Sequence, residues 1–185
     1  HEFEKYKIID SAQKITKNQF KQECNPQDIM IFSFYPTKPI GSYDGGMIVS
    51  NDKDKIDRFK IMVKNGARFN PKSWKREMVT VGYKMYLNSF QAYIANENFK
   101  KLEEKYQHLA RVKEKYNLEF NRNNTSDHLY RVNISNRDMV LTKAKQVGVE
   151  LGIHYQCLHK NMIYSNNDQS LKNSEHESKT TISIP

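Results

Sequence analysis

An apolar run from Asp28 to Phe34 is cut off by a turn that Pro36 and Pro39 bracket, and the turn carries Lys38. This feature constrains the fold most. The run has the length of a buried strand and is short for a helix. Proline fixes its own φ and cannot donate into a sheet ladder, so the strand ends where the prolines begin. Lys38 is thereby held at a strand's carboxyl end. Upstream, Lys7-Ile8-Ile9 is a second β-branched run, closed by Asp10-Ser11-Ala12-Gln13. Asp10 then sits at the carboxyl end of its own strand. In open α/β sheets that edge is where ligands bind.

The residue types suggest a chemistry. A partly desolvated amine disfavours its charged form, and a neutral lysine amine is what Schiff-base formation with a carbonyl cofactor requires. A carboxylate can pair with the protonated ring nitrogen that pyridoxal 5'-phosphate (PLP) needs to act as an electron sink. The hydroxyl of Ser33 can meet a phosphate oxygen at the same edge. Taken singly each has a plainer reading. A lysine beside a turn is ordinarily solvated, and an aspartate after a strand is often a helix cap.

Further along, 5–9 and 28–34 read as buried parallel strands joined by a polar connection over 14–27. Gly45 to Ser50 reads as a third strand. Asn51 or Asp52 caps a helix from Lys53 to Lys64, which Asn65-Gly66 closes. Residues 67–81 read as a loop carrying Trp74, the only tryptophan. A long helix from Asn88 to Tyr116 follows, with an apolar stripe at Phe99, Leu102, Tyr106, Leu109, Val112 and Tyr116. After a polar break at 121–127, His128 to Ser135 reads as a half-buried strand through Leu129, Val132 and Ile134. Arg137 to Val147 reads as an amphipathic helix, Gly152 to Tyr155 as a short strand, and 165–180 as an aperiodic, mobile stretch.

The order "IIDSAQ", "IFSFYPTKPIGSYDGGMIVSND", "VGYKMYLNSFQAYIANENFKKLEE" and "NRDMVLTKAKQVGVELGIHYQCLHKNMIY" resembles the DegT/DnrJ/EryC1/StrS sugar aminotransferases. The resemblance implies an α/β chain with part of the aspartate aminotransferase-like PLP fold. Residues 1–87 would be the second part of the PLP-binding large domain, with a three-layer arrangement. Residues 88–118 would be a long interdomain helix, and 119–185 an incomplete small C-terminal α/β domain. It also implies a fragment without the family's N-terminal half and extreme C-terminus, so that part of the phosphate site is missing.

The implied activity is transfer of an amino group to a nucleotide-linked keto-sugar, with glutamate as donor and PLP as cofactor. Lys38 would be the Schiff-base lysine; relatives that act as dehydratases carry histidine there. Asp10 would pair with the ring nitrogen, Gln13 would lie against the ring one helical turn on, and Ser33 would bind the phosphate. Lys84 stands where many relatives have an asparagine that reaches the neighbouring subunit's cofactor phosphate, which implies a homodimer with shared sites. His154, Tyr155 and His159 match a segment near the substrate entrance. The alternative is a truncated, inactive relative that keeps the lysine without binding PLP.

The formal charge of +9 raises the question of an anionic partner. Most of the lysines, however, are interleaved with acids along helices, the pattern of a solvated face. No helix-turn-helix, zinc-ligand or RNP-like pattern gives the charge a nucleic-acid use. Cys24 and Cys157 suggest neither a disulfide framework nor a metal site. No apolar run approaches membrane-spanning length, and a cytoplasmic setting is the default.

Overall fold

The structure is a computed structural model that describes residues 6–164 and 170–185. The chain divides into two compact units, His1–Gln107 and His108–Pro185, a division that falls inside the helical stretch expected over 88–118.

In the first unit β1 (Ile8–Asp10) is followed by α1 (Gln19–Glu23) and β2 (Ile29–Ser33). β1 and β2 run parallel, with Ile8 opposite Ile29 and Asp10 opposite Ile31, and α1 lies in the crossover that a parallel pair requires. Asp28, 1% exposed, sets this register. Its carboxylate accepts the backbone N–H of Lys7 at 2.8 Å and that of Asn25 at 2.7 Å. Those two amides hold its carboxyl below the ordinary range. Met30, fully buried, fills the sheet's inner face.

β3 (Gly46–Val49) pairs with β2 antiparallel, Ser33 opposite Gly46 and Met30 opposite Val49. The sheet is therefore mixed, where a mostly parallel one was expected. The reason is local: the chain between β2 and β3 contains no helix, and without a crossover it can only fold straight back. Ser50 Oγ donates to the Asp28 carbonyl at 2.7 Å, so one residue ties the amino-terminal end of β2 to both neighbours.

α2 (Lys53–Met62) starts at Asp52, whose side chain accepts from the Lys55 amide. The stretch 67–81, expected to be a loop, contains a hairpin, β4 (Ala67–Phe69) and β5 (Arg76–Met78). Its strands show no alternation because among them only Ala67 is buried. The backbone crossing at its base is close: a Cβ on Gly66, whose φ is +71°, would collide with the Thr80 carbonyl, and one on Gly82 with the Gly66 amide.

The expected single long helix is two, α3 (Ser89–Lys100) and α4 (Leu102–Glu119). At Lys101 the amide bonds back to Asn98, a 3-10 tightening that breaks the straight stripe. Leu102 is accordingly buried while Phe99 is exposed. Phe34, Ile40, Ala95 and Leu102 form the core, with Ile15, Phe32 and Tyr106 packed on it.

In the second unit β6 (Tyr130–Asn133), α5 (Arg137–Gln146), α6 (Lys172–Thr180) and β7 (Thr181–Ile184) surround a core of Tyr130, Val132 and Ile182. β6 and β7 are antiparallel. Tyr130, not Leu129, is the inward partner of Val132, as period two demands. The strand expected over Gly152 to Tyr155 reduces to one bridge between Gly152 and Ser183. Of the stretch expected to be mobile, 165–169 lies outside the described residues, and Lys172–Thr180 is helical. α6 is polar all round and is fixed by hydrogen bonds rather than by an apolar stripe: Asn133 and Thr181 bond Glu177, and Arg137 bonds the Ser178 carbonyl. Among the described residues no helix is long and apolar enough to cross a membrane.

Because Asp28 titrates below its unfolded value, it stabilises the fold fully above about pH 4 and loses that contribution as pH falls. Asp28→Asn should therefore lower stability at pH 7 and shrink the gap to wild type towards pH 2. Denaturant titrations at a series of pH values measure this; a pH-independent gap would refute it.

A candidate cofactor edge and a histidine-lined cavity

The connection from β2 to β3 is held from every side. Lys38 N–H bonds the Tyr35 carbonyl at 2.9 Å and Ser42 N–H the Phe34 carbonyl at 2.8 Å. Phe34 and Ile40, on either flank of Lys38, are both core residues. Asn98 Nδ2 donates to the Gly41 carbonyl at 2.6 Å, and Lys105 Nζ to the Pro39 carbonyl at 3.2 Å. Gly41 is required by proximity, since a Cβ there would strike the Pro36 carbonyl. The result is a rigid platform with Lys38 half-buried on it. The Lys38 amine has no acidic partner among the described residues.

β-sheet geometry places the remaining edge residues. In-register partners share a face, and residues two apart along a strand share it too. Asp10 opposite Ile31 therefore lies on the face that Ser33 occupies one pleat further along β2. Asp10 is exposed. Its Oδ1 accepts the Ala12 amide at 2.9 Å, and Oδ2 is left to meet a ligand. Ser33 Oγ accepts from the Tyr35 amide at 3.3 Å and keeps its own hydrogen to donate. An amine, a carboxylate and a hydroxyl donor are the group types that PLP uses; Asp10 and Ser33 share a sheet face, and Lys38 lies on the turn that follows β2.

Gln13 departs from expectation. Residues 12–13 form a turn rather than a first helical turn, and Gln13 is exposed. Lys84 is held beside the end of α2. It bridges Lys64, its neighbours Tyr83 and Met85 bond the end of α2 at Met62 and Val63, and its side chain is exposed. Sequence reasoning missed Asn98 and Lys105. Both act on main-chain carbonyls, and no spacing in the sequence marks such partners.

In the second unit His154, Tyr155 and His159 do come together, around a cavity of about 530 Å³ that Arg131, Cys157 and Glu177 also line. His154 Nδ1 is 2.8 Å from Ser183 Oγ, and its ring meets that of Tyr155 edge-on at 4.9 Å. His159 Nε2 lies 3.1 Å from Glu175 Oε1, which Lys160 also approaches at 3.4 Å. The bonds from His159 and Lys160 hold the Glu175 carboxyl below its ordinary range. Among the described residues no cluster of His, Cys, Asp or Glu could hold a metal ion.

With this geometry in hand, comparison with known proteins gives the class. The sequence profile of the DegT/DnrJ/EryC1/StrS aminotransferase family matches residues 6–185, and the chain belongs to that family, whose members are PLP-dependent. It is 25% identical over 199 aligned residues to the UDP-4-amino-4,6-dideoxy-N-acetyl-beta-L-altrosamine transaminase of Campylobacter jejuni, covering 96% of this chain and 53% of that protein. It is 28% identical over 161 residues to the UDP-2-acetamido-2-deoxy-3-oxo-D-glucuronate aminotransferase of Pseudomonas aeruginosa, covering 80% of this chain and 44% of that one. The chain thus spans about half the length of the curated relatives it matches. Among solved structures, a DegT DnrJ EryC1 StrS aminotransferase from Brucella abortus superposes with a TM-score of 0.79 at 24% identity, over 96% of this chain and 51% of that one. That likeness establishes the fold as the α/β fold of these aminotransferases.

Gly41→Ala should push the turn off Pro36 and loosen the platform. The amide protons of Lys38 and Ser42, bonded across the turn, should exchange at least tenfold faster, while those of β6 and β7 stay unchanged. Equal protection of the turn amides in variant and wild type would show that the close approach at Gly41 is not what fixes Lys38.

Proposed function

We propose that this chain carries the lysine-bearing part of a PLP-dependent transaminase site that converts a nucleotide-linked keto-sugar to an amino sugar, with glutamate as amino donor. One observation carries the reading: Lys38 is an amine without an acidic partner on an immobilised turn at the carboxyl edge of β2, the edge where Asp10 ends β1. Family membership and the transaminase activities for which the C. jejuni and P. aeruginosa relatives are named support it. Residues 1–87 then form the second part of the cofactor domain and 119–185 the small domain.

Bound PLP supplies an aldehyde that an amine can condense with and a ring that accepts an electron pair. The protein's part falls to named groups. Lys38 Nζ would hold the cofactor by its aldehyde carbon and would carry a proton to and from the carbon that gains or loses nitrogen. The Asp10 carboxylate keeps the ring nitrogen protonated. Ser33 Oγ donates to a phosphate oxygen, and Gln13 lies against the ring. Lys84 is a point charge for the phosphate in a partner subunit of a homodimer. His154, Tyr155 and His159 line the substrate entrance.

Mixing a complete enzyme that carries this sequence with PLP, reducing with borohydride and mapping the adducts by mass spectrometry tests the reading. Lys38 should be labelled at least tenfold more than any other lysine, and Lys38→Ala should leave only a low, even background. Labelling spread evenly over surface lysines in the wild type would overturn it. Asp10→Asn should preserve the label and reduce turnover in a complete enzyme by orders of magnitude.

A further inference from the structure

The β4–β5 hairpin has two chemically different faces. Register places Arg68 opposite Glu77 on one side and Phe69 opposite Arg76 on the other. Arg68 and Glu77 pair at 3.7 Å, which neutralises the first face. The second face presents Phe69, Arg76 and Met78, and none of these is buried against the unit: Phe69 is 67% exposed. The turn between the strands adds Lys72, Trp74 and Lys75, and Trp74 is 88% exposed. Asn70 and Ser73 order this turn through their side chains, accepting the amides of Lys72 and Lys75 at 2.9 and 3.1 Å. Lys72, Lys75 and Arg76 have no acidic partner among the described residues.

A hairpin with two exposed aromatic rings set among three uncompensated cations is complementary to a ligand that joins a flat ring to adjacent negative charges. Aromatic side chains stack on any base, and Arg and Lys hold phosphate oxygens by charge-assisted hydrogen bonds. A nucleoside diphosphate has both parts within one small molecule. We propose that this hairpin grips the nucleoside diphosphate end of the substrate: Phe69 or Trp74 stacks on the base, and Lys72, Lys75 and Arg76 neutralise the phosphates. This rests on the reading of the substrate as a nucleotide-linked sugar and assigns its recognition to residues outside the cofactor edge. Nucleic acid would call for a longer basic stripe than one hairpin offers.

Trp74, as the chain's only tryptophan, reports on the hairpin directly. UDP titrated into the full chain should change its fluorescence to saturation, uridine and inorganic pyrophosphate each binding at least tenfold more weakly. Arg76→Ala, and separately Lys72→Ala with Lys75→Ala, should weaken UDP by about tenfold or more, the scale of one lost charge-assisted bond. Circular dichroism should stay unchanged, because these side chains support no core. No UDP response, or the same affinity in these variants, overturns the proposal. So does a single-stranded oligonucleotide or an anionic phospholipid vesicle that perturbs Trp74 where UDP does not. The borohydride label on Lys38 is independent of this readout: a labelled chain whose Trp74 ignores UDP keeps the transaminase reading and loses the hairpin's role.

Discussion

Everything at the candidate cofactor edge depends on the buried carboxylate of Asp28. It accepts from the amide of Lys7, and that bond fixes where β1 starts against β2. A parallel pair has no tight turn to set its register, and a slip of one residue would turn every side chain to the opposite face. Asp10 would then leave the face it shares with Ser33. A charge far from the ligand edge thus decides which residues meet there, through the pleat of two short strands.

Lys38 is positioned by a different means. Its turn is fixed by burial of Phe34 and Ile40 and by the donors Asn98 and Lys105 from α3 and α4. The break at Lys101 is part of this arrangement, because it lets Asn98 and Lys105 serve neighbouring carbonyls while Ala95 and Leu102 remain in one core. The second unit follows another economy of structure. Its core is small, and α6 is attached through Glu177, Glu175 and Arg137, so that polar bonds do what an apolar stripe does in α2.

The parts of the fold written in apolar patterning were legible in the sequence: the strand ending at Phe34, the β1–β2 pairing, the α2 cap at Asp52 and the α5 helix. The Lys38 turn was legible because proline acts on the backbone locally. Other features were carried by signals that patterning does not contain. The antiparallel return of β3 follows from the absence of a crossover helix, the hairpin at 67–78 hides because only Ala67 is buried, and α6 is polar on every side. Order in the sequence singles out Asp10, Ser33 and Lys38 as candidates, whereas the Asn98 and Lys105 clasps carry no such mark, since a hydrogen bond to a carbonyl leaves no trace in residue type. Gln13 was expected one helical turn on, and the structure has instead a turn that the Lys14 amide and the Ser11 carbonyl close.

β1 has β2 on one side and, among the described residues, no strand on the other. Asp10 therefore ends an open ladder, and the outer side of β1 presents unpaired amides and carbonyls together with Ile8, 62% exposed. Such an edge is a template for another strand. A strand that docks there also changes the solvent around the Asp10 carboxylate. A docked strand would extend the ladder in which Asp10 and Ser33 share one face and would cover the outer backbone of β1.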